Sequence, residues 1–575
     1  MGDVITYLED GTSGIVTGGV DGSALVVGVC SKGTVGKGYL IGKRSNLEDI
    51  LGVGPLTEHV RDMLATAGQE PNIVAVPVQG QQAGYITDPV ITGSEVVPTV
   101  SGVPAQNADI VVRVATPGAV GTATVEISTD GGKTFGEAQA SAEQLVLKLE
   151  DEEPTGATLV FPAEATLEAD ATFAVTVRCA VGPVTRIGEA SSPLITAATE
   201  SGVLAGAELV VQIVKGGALN EGTYQLSTDG GDNFDRERTI PVDGKVVLSD
   251  FGVTVTFPSG TYTAGTTYSC RLLAPAPSIV DVMSALEGPL AIYDVEYVLV
   301  AGETDSVDWA AAQTKADELW NLQRPTYFKM ETRLPRDGED LNDFAAYLLA
   351  ESQGFAGRFV TVCCQYGEVT DTTGATRLRN AGGLQAGRVM SIPVQRATGR
   401  VRDGNVSQLS LPENWESVQS TLEEDGYLTA KKYAGLEGVY WGDSRTMADD
   451  TSDYRYEEVL RTVFKAVRLL RNAALKSMYG RRPAQAELDQ WPGLSEGQSG
   501  KRPGYHGQGQ SPGAGFLCGR YREWPGYCEQ RRGRGRDPDR YPDHPRNQAL
   551  RQLCLCRIYL RSAHERQQRR IGVPI

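Results

Sequence analysis

The chain has 575 residues, 41% of them hydrophobic and 22% charged, which is ordinary for a globular protein and leaves room for three or four domains. Its net charge of −18 argues against a general nucleic-acid-binding protein, because nothing would offset the repulsion of the phosphates. The sequence has no run of 18 apolar residues, and its opening, MGDVITYLEDG, lacks the basic and apolar regions of a signal peptide. Neither membrane insertion nor secretion is indicated, and we expect synthesis in the cytosol.

No motif in the sequence indicates a cofactor, a metal or a catalytic centre. The segment GTVGKGYLIGK contains glycines and lysines but not the spacing of a phosphate-binding loop. Five cysteines lie in the first 480 residues without a CxxC or Cys/His cluster, so we interpret them as reduced, buried thiols: Cys30, Cys179, Cys270, Cys363 and Cys364. The neighbours Cys363 and Cys364 should point to opposite faces of one strand; a redox pair is the alternative.

Residues 1–20 are predicted to form an extended N-terminal arm. The segment DVITYLEDG alternates like a β-strand but has no partner strand near it in sequence, which is typical of a segment that completes the sheet of another chain. We therefore predict a subunit-linking role for Val4, Ile5, Thr6, Tyr7 and Leu8. An ordinary flexible terminus is the alternative.

Residues 21–83 alternate between strand and helix patterns. Strands are predicted for ALVVGVC, GYLIGK and NIVAVPV, and helices for NLEDILG and PLTEHVRDMLATAG. Pro55 suits the first turn of the second helix, because its missing N–H would have no partner there. This pattern predicts the start of an α/β domain.

A short turn occurs twice, as STDGGKTF at residues 128–135 and as STDGGDNF at residues 227–234. Asp and Gly tolerate the positive φ of a tight reversal between antiparallel strands. The predicted turn residues are Asp130, Gly131, Gly132, Asp229, Gly230 and Gly231. We expect the aromatic residue after each turn, Phe135 or Phe234, to fold back onto it. The pattern also resembles the Asp-box of sialidase-like propellers, which raises a glycan-binding protein or a sialidase-like hydrolase as an alternative.

The repetition extends well beyond the turn. SGVPA at residue 101 pairs with SGVLA at residue 201, and ATFAVTVRC pairs with TTYSCRLL, so a unit of nearly 100 residues has been duplicated. Its short strands and Gly/Pro turns predict two tandem all-β immunoglobulin-like sandwich domains, residues 84–182 and 183–278. A propeller would need several more blades. A glycosidase would need a pair of carboxylates, and none stands out from the acidic background.

Residues 279–480 return to alternating strands and helices. Helices are predicted for SVDWAAAQTKADELWNLQ, DLNDFAAYLLAESQGF and ENWESVQSTLEEDG, and strands for TYFKMET, RFVTVCC and parts of LTAKKYAGLEGVYWGDSRTM. A long helix is predicted from about residue 453 to residue 479, with Gly480 as its stop.

The long helix has two predicted faces. Its apolar side carries Val459, Val463, Val467, Leu470, Ala474 and Met478. Its other side carries a basic stripe, Arg461, Lys465, Arg468 and Arg471. A solvated helix face is the simpler interpretation of this stripe, and a docking surface for an acidic neighbouring subunit is the alternative.

Two stretches of the sequence resemble the contractile-tail sheath proteins of myophages and related injection systems. The first runs from ALVVGVC through PLTEHVRDMLATAG to NIVAVPV, and the second from GLEGVYWGDSRTMADD through YRYEEVLRTVFKAVRLLRNAALKSMYG. A core signature precedes the long helix in the second stretch: Gly438, Tyr440, Trp441, Gly442, Arg445 and Thr446. The resemblance covers most of residues 1–80 and 280–480. It implies a discontinuous α/β (α+β) sheath core into which the two sandwiches are inserted.

The resemblance further implies a structural protein that is not an enzyme and needs no cofactor. Sheath subunits polymerise as stacked rings around a tail tube and shorten to drive the tube through a bacterial envelope. The implied partners are other copies of the chain in a helical homo-oligomer, the tail tube protein, the baseplate and the tail terminator. The implied location is the contractile tail of a virion, after synthesis in the bacterial cytoplasm. Another tail or baseplate component with the same core is the alternative.

Residues 481–575 do not fit the rest of the chain. They carry 18 Lys and Arg against 9 Asp and Glu, a net charge of +9, whereas residues 1–480 carry a net charge of −27. Their Arg, Pro and Gly content is typical of a disordered basic tail, and an RNA- or DNA-binding arm is a second interpretation. We favour a third, that translation is out of frame from a point between about residues 481 and 500. If this part of the sequence is back-translated with suitable synonymous codons and then read one nucleotide later, the resulting amino-acid sequence has the pattern of β-strands.

Overall fold

The computed structural model describes residues 20–68, 71–81, 84–149, 153–372 and 374–479. The predicted linking residues 4–8 of the N-terminal arm and the basic tail after residue 480 lie outside the described residues. The first described elements alternate between strands and helices as predicted. They are β1 (Ser23–Val29), β2 (Tyr39–Ile41), α1 (Leu47–Ile50), α2 (Pro55–Thr66), β3 (Asn72–Val78) and β4 (Gly80–Gln81).

The described residues of the duplicated segment form strands and loops. The first repeat contains β5 (Gly84–Ile86), β6 (Val90–Thr92), β7 (Thr99–Gly102), β8 (Ala108–Thr116), β9 (Gly118–Ala119), β10 (Thr124–Ser128), β11 (Gln139–Ala140), β12 (Gln144–Lys148), β13 (Pro154–Val160), β14 (Thr166–Leu167) and β15 (Thr172–Cys179). The second repeat contains β16 (Thr185–Ile187), β17 (Thr196–Ala198), β18 (Ala207–Lys215), β19 (Thr223–Ser227), β20 (Arg238–Thr239), β21 (Lys245–Leu248), β22 (Val253–Thr256) and β23 (Thr267–Leu272).

The chain then returns to alternating strands and helices, and each helix and strand predicted in this region is present. The elements are β24 (Ala276–Pro277), α3 (Ile279–Ile292), β25 (Tyr297–Glu303), α4 (Ser306–Asn321), β26 (Tyr327–Glu331), α5 (Leu341–Ser352), β27 (Val360–Cys363), β28 (Tyr366–Thr370), β29 (Thr376–Asn380), α6 (Gly382–Ser391), a 3-10 helix (Val401–Asp403), β30 (Leu409–Ser410), α7 (Glu416–Glu424), β31 (Ala430–Lys431), β32 (Tyr440–Trp441) and α8 (Glu457–Tyr479). Helices α3 and α6, the 3-10 helix and strands β24, β25, β28, β29 and β30 are additional to the prediction.

A six-stranded sheet forms the centre of the core, in the order β2-β3-β1-β25-β26-β27. Strand β2 runs antiparallel to β3, and the other neighbours are parallel. Parallel strands buried on both faces are apolar along most of their length, and residues 24–27 of β1 are accordingly inaccessible to solvent. Because β1 pairs with β25, the chain segments before and after the duplicated segment build one sheet.

The duplicated segment leaves and re-enters the core at one place. Strand β4 pairs with β24, with Gly80 opposite Pro277 and Gln81 opposite Ala276. The two connections therefore lie side by side, just after β3 and just before α3. The two ends of the duplicated segment are adjacent at this pair of strands. The segment can therefore be accommodated without distorting the central sheet.

The two repeats have the same strand order. The larger sheet is β11-β10-β8-β15-β5 in the first repeat, where β6 also pairs with β15, and β20-β19-β18-β23-β16 in the second. The smaller sheet is β12-β13-β7 in the first repeat and β21-β22-β17 in the second. In each repeat both sheets contribute to one apolar cluster, for example Val112 and Leu159 in the first and Ile213 and Val255 in the second. The matching order supports the duplication inferred from the sequence.

All five cysteines among the described residues are free thiols. Cys363 packs beside Trp441 in a small cluster, whereas Cys364 faces the main core, so the two lie on opposite sides as predicted. Cys30 and Cys179 are only partly buried, and the prediction of buried thiols is wrong for them. Each lies at the end of a strand, where the chain leaves its sheet.

Candidate functional site

A cavity of about 420 Å³ lies at the carboxyl edge of the central sheet. The chain runs to opposite sides of this point, since β3 lies beyond β1 and β26 lies beyond β25, and open α/β sheets bind ligands at such switch points. Its walls include His59 of α2, Glu331 at the end of β26, and Tyr85 and Arg271 of the two inserted repeats. By its position, the cavity is the first candidate site.

Each arginine of the cavity wall lies beside a carboxylate. The pairs are Arg336 with Glu303 (3.0 Å), Arg377 with Glu58 (2.6 Å), Arg271 with Asp337 (3.4 Å) and Arg379 with Asp62. A guanidinium that is already paired has fewer donors left for an anionic ligand. Three of these pairs join segments of the core to one another, and the pair of Arg271 with Asp337 joins the insertion to the core.

His59 is buried in the cavity wall and bonded at both ring nitrogens. Its Nδ1 lies 2.7 Å from the carbonyl oxygen of Pro55, and its Nε2 lies 2.7 Å from the carboxylate of Glu331. Both partners are acceptors, so the ring donates from both nitrogens and carries a positive charge. Burial opposes that charge, but the Glu331 carboxylate outweighs burial and raises the pKa of His59 to about 9. His59 is therefore protonated at neutral pH and unsuited to act as a general base.

The stability that His59 contributes is expected to be lost at alkaline pH. With a pKa of about 9 in the folded chain and about 6.5 in the unfolded chain, the contribution is complete below pH 6.5 and falls as the pH rises through 9. The difference corresponds to about 3 kcal/mol. Urea unfolding at pH 6 and pH 9.5 should show the gap between the wild type and His59→Gln shrinking by that amount. A gap that does not change with pH would contradict a charged pair.

A second buried network fastens the start of α8 to the central sheet. Lys329 of β26 lies 2.6 Å from Glu457, and these side chains are 3% and 1% exposed. The hydroxyl of Tyr327 donates to the same carboxylate at 2.6 Å, and the amide of Gln385 donates at 3.2 Å. Burial alone would raise the pKa of Glu457, but Lys329 and Arg461 lower it to about 2. The carboxylate is therefore ionised and fully engaged.

Arg461 of α8 is buried against Glu296, which lies just before β25. Its Nε is 2.6 Å from a carboxylate oxygen of Glu296, and both side chains are at most 2% exposed. The predicted docking stripe is therefore wrong for Arg461. The alternation of apolar and basic residues suggested an outward-facing side, but the helix begins inside the core and is surrounded there, so its charge is paired within the chain.

The other basic residues of the predicted stripe differ in exposure. Lys465 lies 2.5 Å from Asp21 and is partly exposed. Arg468 is partly buried and Arg471 is exposed. A docking role for these three residues stays a prediction.

Among the residues of the predicted apolar side whose burial the structure describes, which do not include Met478, only those near the start of α8 are buried. Val459 and Val463 are buried, and Val467 is partly buried. Leu470 is 43% exposed and Ala474 is also exposed. The helical pattern alone did not indicate where along α8 the packing would end.

The core signature lies beside a buried carboxylate of α7, Glu423. The backbone N–H of Asp443 donates to this carboxylate at 2.9 Å, and a Cβ on Gly442 would lie 2.8 Å from it. A side chain at Gly442 would therefore displace the Glu423 carboxylate, while Gly438 has a φ of 89°, which favours glycine. Trp441 is buried, with 3% of its surface exposed.

The remaining signature residues make local contacts. Their hydrogen bonds run from the Tyr440 hydroxyl to the Glu437 carbonyl (3.0 Å), from the Arg445 guanidinium to the Glu424 carbonyl (3.1 Å) and from the Thr446 hydroxyl to the Tyr454 carbonyl (2.6 Å). Arg445 and Thr446 thus tie this segment to α7 and to the loop that leads into α8.

The two Asp-Gly-Gly turns share one hydrogen-bonding pattern. Asp130 accepts from the backbone N–H of Thr134 at 3.0 Å and from its hydroxyl at 2.7 Å. Asp229 accepts from the backbone N–H of Asn233 at 3.0 Å and from its side-chain amide at 2.8 Å. The glycines at 131, 132, 230 and 231 have φ values between 77° and 105°. Each turn connects two antiparallel strands, β10 to β11 and β19 to β20.

The aromatic residues after these turns behave differently. Phe135 folds back, with its ring 3.8 Å beneath the guanidinium of Arg113. Phe234 also folds back onto its turn, since a Cβ on Gly231 would lie 3.8 Å from its ring, but the residue is 37% exposed. The second repeat has Gln212 where the first has Arg113, and it therefore lacks the cation that covers the ring.

The described part of the chain offers no group of three or more His, Cys, Asp or Glu residues that could hold a metal ion. Within that same part, no helix has the length and apolar character needed to cross a membrane. The buried carboxylates Glu296, Glu331 and Glu457 are paired instead with basic side chains of the chain itself.

These buried charges were missed in the sequence. Lys329 stands inside the apolar segment TYFKMET, and Glu296 stands just before YVLV. A charge within or next to a strand that is otherwise apolar needs a buried partner. That signal predicts an ion pair, but not which residue completes it.

The solved structures with similarity to the chain include sheath proteins. The sheath tail protein of Desulfitobacterium hafniense is 11% identical, with a TM-score of 0.35 over 85% of this chain and 86% of that chain. The sheath tail protein of Listeria innocua is 9% identical, with a TM-score of 0.35 over 81% of this chain and 79% of that chain. The PVC sheath complex of an extracellular contractile injection system, in the contracted state, is 18% identical, with a TM-score of 0.26 over 38% of this chain and 56% of that chain. No curated protein sequence matches the chain.

Two family models match the sequence in tandem. The model described as DUF2586, N-terminal domain, matches residues 1–445. The model described as DUF2586, C-terminal domain, matches residues 453–492. Since the first match alone spans more than half of the 575 residues, the chain belongs to the DUF2586 family.

Proposed function

We propose that this protein is the structural subunit of a contractile tail sheath, which polymerises around a tail tube and contracts to drive the tube through a bacterial envelope. One observation carries the proposal. The two parts of the chain that the resemblance to sheath proteins covers, residues 1–80 and 280–480, are separated by about 200 residues of insertion, yet they meet in one α/β core. Strand β1 pairs with β25, and Glu457 at the start of α8 is fastened to Lys329 of the same sheet.

The proposal includes two inserted immunoglobulin-like domains, residues 84–182 and 183–278. Their matching strand orders and separate apolar clusters support this division. The paired connections at β4 and β24 support the view that the domains decorate a core that is continuous without them. The core itself would comprise residues 21–83 and 279–480.

We assign no catalytic or cofactor role to the protein. His59 and the cavity arginines are engaged in ion pairs, which favours a structural role for the cavity at the carboxyl edge of the central sheet. Asp130 and Asp229 are held by hydrogen bonds within their own turns, which favours a structural role for the Asp-boxes over glycan hydrolysis. The proposed partners are further copies of the chain, the tail tube, the baseplate and the tail terminator. The proposed location is the virion tail, after synthesis in the bacterial cytoplasm.

The change of reading frame remains part of the proposal. The match to the C-terminal family model ends at residue 492, inside the interval in which the shift is proposed to lie. A restored frame would supply the strand-forming C-terminal segment that a sheath subunit needs. The chain as written is then expected to assemble poorly.

The N-terminal arm provides the test of the proposed function. In the frame-restored chain, replacing both Ile5 and Tyr7 with proline should abolish polymerisation, because proline cannot donate the hydrogen bonds of an added strand. The change Thr6→Val keeps strand propensity and serves as the control. Sedimentation velocity should show polymers for the control and monomers of unchanged fold for the proline variant. Polymers from the proline variant would contradict a linking arm.

A further inference from the structure

We propose that Glu296 is a mechanical clamp that joins the start of β1 to α8, so that tension between the two ends of the core bypasses the inserted repeats. This inference deepens the proposed function and rests on it in one respect, namely that a sheath subunit is loaded through its terminal segments. The clamp itself is a property of the single chain. It can therefore be measured without polymer formation.

The first half of the clamp holds the segment just before β1. The carboxylate of Glu296 accepts a hydrogen bond from the backbone N–H of Gly22. The backbone N–H of Glu296 lies 3.0 Å from the carbonyl oxygen of Ser23 and 3.2 Å from its hydroxyl. One residue thus fixes this segment through both its side chain and its backbone.

The second half of the clamp holds α8. The same Glu296 carboxylate lies 2.6 Å from Nε of Arg461, whose Nη2 also donates to the carbonyl oxygen of Val389 at 3.1 Å. One helical turn further along, Lys465 lies 2.5 Å from Asp21. The segment at the start of β1 is therefore joined to α8 in two ways: through Glu296, which is hydrogen-bonded to Gly22 and Ser23 and forms a buried ion pair with Arg461, and directly by the partly exposed ion pair of Asp21 with Lys465.

The clamp and the insertion lie at opposite edges of the central sheet. Gly22 and Glu296 precede the parallel strands β1 and β25, so they lie at the amino edge. Strands β4 and β24, through which the inserted repeats are attached, adjoin the carboxyl ends of those strands. A pull on the chain before residue 20 and on α8 consequently loads the clamp first. The inserted repeats carry no tension until the clamp has opened.

Single-molecule force spectroscopy on the full chain tests this directly. The molecule is attached through its N-terminus and through an azide-bearing residue introduced at Leu469, which is 60% exposed. Under constant force, the first event in the wild type should be the opening of the clamp, before any lengthening of roughly 300 Å, the length released by one unfolded repeat. Glu296→Gln should shorten the time to this first event about 100-fold, since it removes one partner of a buried pair.

Two further variants keep the test decisive if Glu296→Gln fails to fold. Asp21→Asn removes only the more exposed contact and should shorten the time to the first event by a smaller factor, about 2- to 5-fold. Asp62→Asn breaks a buried pair with Arg379 that lies away from the clamp and should leave that time unchanged. Equal effects of Asp21→Asn and Asp62→Asn, or a first event with the length of an inserted repeat, would overturn the clamp. If the force measurements show the clamp but the frame-restored protein does not polymerise, that result would count against the proposed function and not against the clamp.

Discussion

Replacing Glu457 with glutamine is expected to lower the free energy of unfolding by about 3–5 kcal/mol. Glutamine keeps the shape and can still accept from Tyr327, but it leaves the Lys329 ammonium without a countercharge in a site where these side chains are at most 3% exposed. Burial already lowers the pKa of Lys329, which shows how unfavourable its surroundings are for an unpaired charge. Denaturant unfolding at pH 7 measures the loss.

A double variant separates the lost charge pair from a general defect of packing. Lys329→Met with Glu457→Gln removes both charges and keeps the hydrogen bond from Tyr327. Uncharged side chains of similar volume often replace a buried ion pair at little cost, so the double variant should be more stable than Glu457→Gln alone. If it is less stable, the ion pair is not what Glu457 contributes.

Replacing Gly387 of α6 with alanine is expected to lower the free energy of unfolding by about 3 kcal/mol. A Cβ at this position would lie 2.7 Å from the carbonyl oxygen of Met63 and 2.8 Å from its Cα. Both are backbone atoms of α2, so neither can move aside without shifting the helix. Since alanine is otherwise the better helix former, a measured loss reports the close approach of the two helices.

Gly288 of α3 is the matched control for this substitution. It also lies inside a helix, but a Cβ there would come no closer than 3.8 Å to its nearest neighbour, the carbonyl oxygen of Gly36. Gly288→Ala should therefore cost clearly less than Gly387→Ala, because the gain in helix propensity of up to about 1 kcal/mol is opposed only by the ring of Pro289, which disfavours helical backbone angles for a preceding residue with a Cβ. Thermal unfolding of both variants decides the matter, and equal effects would contradict tight packing of α6 on α2.

The close packing of α6 also explains why this helix could not be predicted. Its sequence, GGLQAGRVMS, contains three glycines, which are unfavourable in an isolated helix. Glycine is favourable at these positions only because α2 lies against them. A Cβ on Gly383 would lie 3.1 Å from the backbone of His59, and a Cβ on Gly387 would lie 2.7 Å from the backbone of Met63. Helix α3 was missed for a similar reason, because Gly288 and Pro289 interrupt its pattern.

The inserted repeats were more accessible to sequence analysis, because their signals are local. Each turn is defined by an aspartate and two glycines whose conformation the sequence dictates. Duplication then places equivalent strands at equivalent positions. The part that depends on a neighbour was not predicted: Phe135 is covered by Arg113, whereas Phe234 is 37% exposed and the second repeat has Gln212 at the position of that arginine.

Helix α8 shows the same limit for a charged residue. Its amphipathic pattern predicted a helix from about residue 453 to residue 479, and the observed helix Glu457–Tyr479 begins about one turn later. The pattern gave no indication that Arg461 would be buried, because the partner, Glu296, lies 165 positions away. Burial of a charge is decided by tertiary contacts, which periodicity within one helix does not contain.

Negative-stain electron microscopy of two purified proteins tests the central claim most directly. One is the chain as written, and the other has the alternative reading frame restored beyond about residue 481. We predict striated hollow tubes from the restored protein alone, as expected of a sheath subunit that needs both terminal segments. Tubes from neither protein, with both correctly folded, would contradict the assignment as a tail sheath.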